Sequence, residues 1–290
     1  PVDETYDSPK KLAVELSRIM SPIVDKSVEM VSGSELKSKV FKRFKLWVKQ
    51  RDKYNGDLEH LYSDDTSLTE DTLRKELEEE FGWVSAYSMV NILYLVRGLE
   101  ERKYITSLLA SWDGKKSKHF FSDIWNWLDE DGSKFIKDFI RLQKIYCDWL
   151  IPSVDENTLK KLLCVFSKLS IVKFGDSDLL GMLYESLMQE LNTESRKKLG
   201  QYYTPRPISE LLWKVAWEKL QGFDVAPNDV TTLDPGAGSG MLLCKGVELL
   251  SSSSKVEKET VGTLVRDIAK SNVNGFEINP LSSAIARINL

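Results

Sequence analysis

The spacing of apolar positions divides this chain into two regimes. Before about residue 195 they recur every three or four residues, the period of an amphipathic helix. Beyond it, short β-prone runs stand beside glycines. Residues 10–20 predict a short helix that ends near Pro22, because proline lacks the N–H that would continue it. Residues 34–54 predict a better one, with Val40, Phe41, Phe44, Trp47 and Val48 on one face. Lys39, Lys42, Arg43, Lys45, Lys49, Arg51 and Lys53 occupy much of the remainder. That basic side reads as a solvated helix face in the first instance, and as a DNA-backbone patch in the second.

Residues 55–69 are polar and acidic and predict a loop. A helix from about Leu68 to Glu80 follows, then a separate one over 85–100. The latter is apolar nearly all round, as a buried central helix would be. Residues 113–119 predict a solvated loop that exposes His119. Residues 120–128 form a short aromatic helix. Residues 133–150 form a long one with Phe135, Ile136, Phe139, Ile145, Tyr146, Trp149 and Leu150 inward, stopped by Pro152. Helices over 157–169 and 177–191 complete this part. Its aromatics fit a packed core better than a base-stacking platform. Glu78-Glu79-Glu80 lies in helical surroundings, and no strand pair before residue 180 carries the acid pattern of a nuclease.

The C-terminal regime turns on Asp234-Pro235-Gly236-Ala237-Gly238-Ser239-Gly240. Residues 229–233 predict a strand before it, and residues 241–250 a helix after it. Strand, glycine loop and helix open many nucleotide-binding α/β folds, where the glycines allow close backbone approach and the helix directs N–H groups at a ligand. A tight turn without a ligand would have the same local pattern. Upstream, Thr204 and Pro205 open a helix with Pro207 in its first turn, where a missing N–H costs little. Downstream, residues 272–277 predict a second strand and 281–290 a final helix.

Composition narrows the class. At 290 residues with 42% apolar content, the chain is large enough for one large or two modest cores. Mean hydropathy is −0.29, and no apolar run reaches membrane-spanning length. Net charge is −4, so nucleic acid could be held only by a local basic face. Cys147, Cys164 and Cys244 have no metal-ligand spacing and suit a reducing cytoplasm. Pro1-Val2-Asp3-Glu4 is not a secretory signal, and a start at proline reads as trimming or excision.

Three segments in order carry a family resemblance: Gly200-Gln201-Tyr202-Tyr203-Thr204-Pro205, the loop 234–240, and Gly275-Phe276-Glu277-Ile278-Asn279-Pro280, with Leu180-Gly181-Met182-Leu183-Tyr184-Glu185 before them. Together they resemble the amino-methylating DNA methyltransferases, specifically the adenine-N6 enzymes of type I and type IIG restriction–modification systems. The loop reads Gly-x-Gly-x-Gly after a proline, unlike the Gly-x-Gly-x-x-Gly of dinucleotide folds.

The helical spacing gives a mainly α N-terminal domain over 1–195, and the resemblance is specific only across about 180–290. The start of a Rossmann-like, S-adenosylmethionine-dependent α/β methyltransferase domain would follow over 196–290. The resemblance places Gln201, Tyr202, Tyr203, Thr204 and Pro205 at the cofactor, with Tyr203, Thr204 and Pro205 walling the methionine end of S-adenosylmethionine. It makes Asp234 an acceptor for the ammonium, with Pro235, Gly236, Gly238, Ser239 and Gly240 forming the loop. Glu277 would take the ribose hydroxyls, although it follows Gly240 by 37 positions rather than the roughly 20 of dinucleotide folds. Ile278 would pack on the adenine of the cofactor. No metal ligand is implied.

The Asn/Asp-Pro-Pro-Tyr/Phe loop that holds the flipped adenine in such enzymes is absent from this sequence, so no catalytic residue is assigned. The expectation is the cofactor half of a cytoplasmic DNA methyltransferase, inactive alone, with double-stranded DNA and specificity or nuclease subunits as partners of the intact system. With two strands only, the fragment should expose an apolar edge or self-associate. The rival readings are a helical DNA- or protein-binding module with a structural glycine loop, and a methyltransferase acting on RNA or protein.

Overall fold

A computed structural model describes residues 8–36, 38–50, 60–63, 67–131, 134–171, 180–183, 204–254, 261–277 and 280–290. The fold is mainly helical, with one small sheet among the described residues. Two compact units divide at Gly175 and Asp176.

The first unit is built on two long helices. α1 runs Pro9–Ser32, and Ser8 caps it by accepting the Lys11 N–H at 3.3 Å. The predicted stop at Pro22 does not occur, since Pro22 lies inside the helix. Leu12, Leu16, Ile19, Met20, Ile23, Val24 and Val31 form one buried stripe that continues across it. Pro22 and Arg18 are both exposed, so the carbonyl that loses its intrahelical donor can take water. Burial of the stripe outweighs that loss.

α2 spans Lys39–Gln50 and buries Phe41, Phe44, Trp47 and Val48, the predicted face, with Val40 half-buried. A short 3₁₀ turn at His60–Tyr62 lies in the predicted loop. α3 then runs unbroken over Leu68–Glu101, where two helices were expected. A capping box opens it: Ser67 accepts the Glu70 N–H, and the Glu70 carboxylate accepts the Ser67 N–H at 2.9 Å. The expected gap is filled by Phe81, Trp83 and Val84, all buried, and by Gly82. A Cβ on Gly82 would lie 3.0 Å from Val24 Cγ1 and 3.2 Å from the Val24 carbonyl oxygen. The glycine is therefore the close-approach point of α1 and α3, not a break.

Around this crossing Phe81 meets Phe44 at 5.4 Å, Trp47 at 5.5 Å and Trp149 at 5.7 Å between ring centroids. Such contacts add about 0.5–1.5 kcal/mol each to the burial itself. α4 (Ser117–Asp131), α5 (Lys134–Cys147) and α6 (Glu156–Lys168) close the unit. His119 is exposed as expected, although it lies in the first turn of α4 rather than in a loop. On α5 the inward face is Phe139, Ile140, Gln143, Tyr146 and Cys147. Ile145, expected inward, is exposed, because Ile140 and Gln143 rotate the buried stripe away from it.

Several polar groups inside this core pair across elements. Asn91 donates to Gln143 at 3.1 Å. The buried Glu78 carboxylate accepts from Ser32 at 2.6 Å and Tyr62 at 2.7 Å. Burial, and then the bond to Glu78, pushes the Tyr62 phenol well above its ordinary range.

The second unit is smaller. α7 (Arg206–Gln221) leads through a 3₁₀ turn at Pro227–Asp229 to β1 (Thr232–Asp234). After the glycine loop come α8 (Met241–Ser253), α9 (Val261–Ser271), β2 (Val273–Gly275) and α10 (Pro280–Asn289). β1 and β2 pair in parallel, Thr232 with Val273, Leu233 with Asn274 and Asp234 with Gly275. The core between them and the helices is Trp213, Val230, Ala237, Leu243, Val247, Leu250, Ile268 and Val273.

Candidate functional site

The site is built where the two short strands end. Asp234 is the last residue of β1, and its carbonyl accepts the Phe276 N–H at 2.9 Å. The Phe276 carbonyl in turn accepts the Ala237 N–H at 2.9 Å. This backbone clamp ties the glycine loop to the end of β2. It also delivers the next residue, Glu277, to the loop, where its carboxylate accepts the Gly238 N–H at 2.8 Å. Asp234 turns its own carboxylate onto the Gly236 N–H at 3.0 Å. Two carboxylates from two strand ends thus hold N–H groups two residues apart in one loop.

The glycines divide by role. Gly238 has φ +54° and Gly240 φ +81°, left-handed backbone that other residues rarely adopt. A Cβ on Gly236 or Gly238 would meet nothing within 4 Å, so both present bare backbone to open space. Gly240 faces inward. A Cβ there would lie 3.0 Å from the Cβ of Ala286 on α10, so Gly240 is a packing glycine as well as the cap of α8. Ser239 is buried, with its carbonyl accepting from Asn289 at 3.0 Å. Pro235 and Gly236 are exposed.

Of the upstream candidates, Thr204 and Pro205 are exposed at the entrance to α7, and the Pro205 carbonyl receives the Ile208 and Ser209 N–H groups. Gln201, Tyr202, Tyr203 and Ile278 lie outside the described residues.

Other parts of the support were not read from the sequence. The Trp213 indole donates to the Leu242 carbonyl at 2.6 Å and covers Gly246, where a Cβ would fall 2.2 Å from the ring. The signal was available: a glycine inside the apolar run 241–250 marks a close approach. Lys245 is buried, with its ammonium on Glu248 and 3.7 Å from Glu210. A hydrogen bond from Arg206 holds the Glu210 carboxyl below its ordinary range. The 276–237 clamp is pure backbone and leaves no side-chain signature.

The loop and the two strand ends define a class: an α/β unit with an open, glycine-lined backbone flanked by carboxylates. Residues 175–290, which include the whole of the second unit, match the family model described as N-6 DNA Methylase. The chain is 23% identical over 188 residues to the type I restriction enzyme HindI methylase subunit of Haemophilus influenzae, covering 62% of this chain and 37% of that protein. It is 26% identical over 164 residues to the type I restriction enzyme MjaIX methylase subunit of Methanocaldococcus jannaschii, covering 56% and 25% respectively. The matches therefore span little more than a third, at most, of these relatives' length. No solved structure matches significantly. The chain is similar to adenine-N6 DNA methyltransferases of restriction–modification systems, as its motif order indicated.

Proposed function

We propose that this chain supplies the methyl-donor site of a DNA adenine-N6 methyltransferase of a restriction–modification system, and that the donor is S-adenosylmethionine. The observation that carries the reading is the pair of carboxylates, Asp234 and Glu277, on the loop whose Gly236 and Gly238 face open space. The geometry suits such a donor. A carboxylate has two oxygens and about four lone-pair directions, more than a loop N–H takes up. Asp234 can take the ammonium of the methionine moiety in a charge-assisted bond. Glu277 can take the ribose hydroxyls, and the loop backbone leaves room for the nucleoside. When bound, the sulfonium supplies an electrophilic methyl group.

The second unit would be the opening of a Rossmann-like domain, in which the strand–loop–helix and a parallel neighbour hold the ligand at the strand ends. In this reading Tyr203, Thr204 and Pro205 complete the methionine side, Gln201 and Tyr202 stand beside them at the donor, and Ile278 packs on the donor's adenine. The work of the chain is to bind and orient the donor. Adenine in duplex DNA is the acceptor, and specificity subunits are the partners of the complete system.

Calorimetric titration with S-adenosylmethionine tests this. The chain should bind, and Asp234→Ala and Glu277→Ala should each weaken binding by at least about tenfold, the loss of one charge-assisted hydrogen bond of about 1.5–3 kcal/mol. Equal affinity of all three proteins, or no heat from any, would remove the proposal and favour a structural loop.

A further inference from the structure

Helix α2 carries a basic face turned away from the core of the first unit. Its twelve residues hold Lys39, Lys42, Arg43, Lys45 and Lys49 and no acid, in a chain whose net charge is −4. Phe41, Phe44, Trp47 and Val48 point into the core of the first unit. Lys39, Lys42, Lys45 and Lys49, spaced three, three and four apart, lie exposed on the opposite side. Arg43, at the edge of this stripe, is bound to Asp148. That ion pair and the aromatic packing of Phe44 and Trp47 fix the helix on its unit, so the lysines are displayed by a rigid element.

We infer that this lysine face contacts the sugar–phosphate backbone of duplex DNA. The inference rests on the reading of the chain as part of a DNA methyltransferase, and it names where the first unit meets that substrate. Three physical points favour a polyanionic rod over other partners. The lysines from 39 to 49 extend over about 15 Å of helix, a length along which a duplex carries about nine phosphate charges. The apolar face of α2 is committed to the protein core, so the helix cannot lay that face into a bilayer as an interfacial helix must. The exposed stripe carries lysines, which serve phosphate contacts as compact point charges and read no bases. The contact should therefore be indifferent to sequence.

The test uses the whole chain, a fluorescein-labelled duplex of arbitrary sequence, and anisotropy titrations at several salt concentrations. Lys39→Gln/Lys42→Gln/Lys49→Gln should bind the duplex roughly a hundredfold more weakly, with the log–log salt slope shallower by about three. The corresponding triple arginine variant should restore both. A matched control, Lys115→Gln/Lys116→Gln/Lys161→Gln, removes the same charge from exposed positions elsewhere on the first unit and should leave binding within about twofold of the starting protein. Circular dichroism of each variant confirms the fold. The inference is overturned if the control loses as much as the α2 variant, if the wild-type chain does not bind duplex, or if phosphatidylserine vesicles compete better than DNA for the same lysines. Donor calorimetry on the same α2 variant separates the two claims. Unchanged donor binding alongside unchanged duplex binding would reject the α2 contact and leave the donor site standing.

Discussion

The two units bury their apolar residues to very different depths. In the first, α3 alone carries an unbroken buried run from Phe81 to Leu93, and aromatic rings from α2, α3 and the Trp149 turn lock around it. In the second, the core is a smaller cluster that includes Trp213, while Ile208, Leu211, Leu212 and Val215 on α7, Leu233 on β1 and Phe276 just after β2 are exposed. Phe276 is 66% exposed and Leu233 60%, although both flank the clamp that shapes the glycine loop. The first unit is organised by packing. The second is organised by backbone hydrogen bonds and glycines at strand ends, with apolar surface to spare. A two-stranded parallel sheet has too little area to bury both of its faces, which is why such sheets normally carry further strands and helices.

That contrast can be broken first at its strongest point. Phe81→Ala should destabilise the first unit by about 3–5 kcal/mol in chemical denaturation, the loss expected for a buried aromatic that leaves a cavity. A loss under 1 kcal/mol would mean that the ring cluster is not the organising core. In the second unit the sensitive position is a glycine. Gly246→Ala should be destabilising by about 1–3 kcal/mol, even though alanine favours helix by about 1 kcal/mol, because its Cβ would enter the Trp213 ring. A stabilised Gly246→Ala protein would show that Trp213 has room to move.

Ser67→Ala, which removes the α3 cap, should cost about 0.5–2 kcal/mol. Leu212→Gln, on the exposed side of α7, should change stability by no more than about 0.5 kcal/mol. A large loss there would contradict the shallow-core description. The smallest effect concerns pH. Asp155 caps α6 by accepting the Thr158 N–H at 2.9 Å, and hydrogen bonds from the Thr158 side chain and then from this N–H hold its carboxyl below the ordinary range. Its contribution is present above the ordinary carboxylate pKa and fades as pH falls through the lowered one. Asp155→Asn keeps the acceptor and should flatten this acid-side slope in denaturation curves recorded at several pH values.

How far the sequence revealed each unit follows from the same contrast. Helical faces are written in side chains, so Phe41, Phe44, Trp47 and Val48 could be placed inward by spacing alone. Local signals misled where a tertiary contact overrode them. By spacing alone Pro22 is a stop and residues 81–84 a gap, yet Pro22 sits exposed in α1 and Gly82 is the α1–α3 contact. On α5, Ile145 was placed inward by its chemistry, although Ile140 and Gln143 set the buried stripe. At the site, Asp234 and the glycines were legible because loop, strand and helix have a residue pattern. The bond that brings Glu277 to Gly238 was not, because it depends on a backbone clamp and on the register of two three-residue strands. Glu277 follows Gly238 by 39 positions, a separation that conceals a contact of 2.8 Å.

The most direct test of the account is a crystal structure of the chain grown with S-adenosylmethionine. The account predicts ligand density over Gly236 and Gly238, with the methionine ammonium against Asp234 and the ribose hydroxyls against Glu277. Well-ordered density at any other place, or an empty loop at saturating ligand, would contradict it.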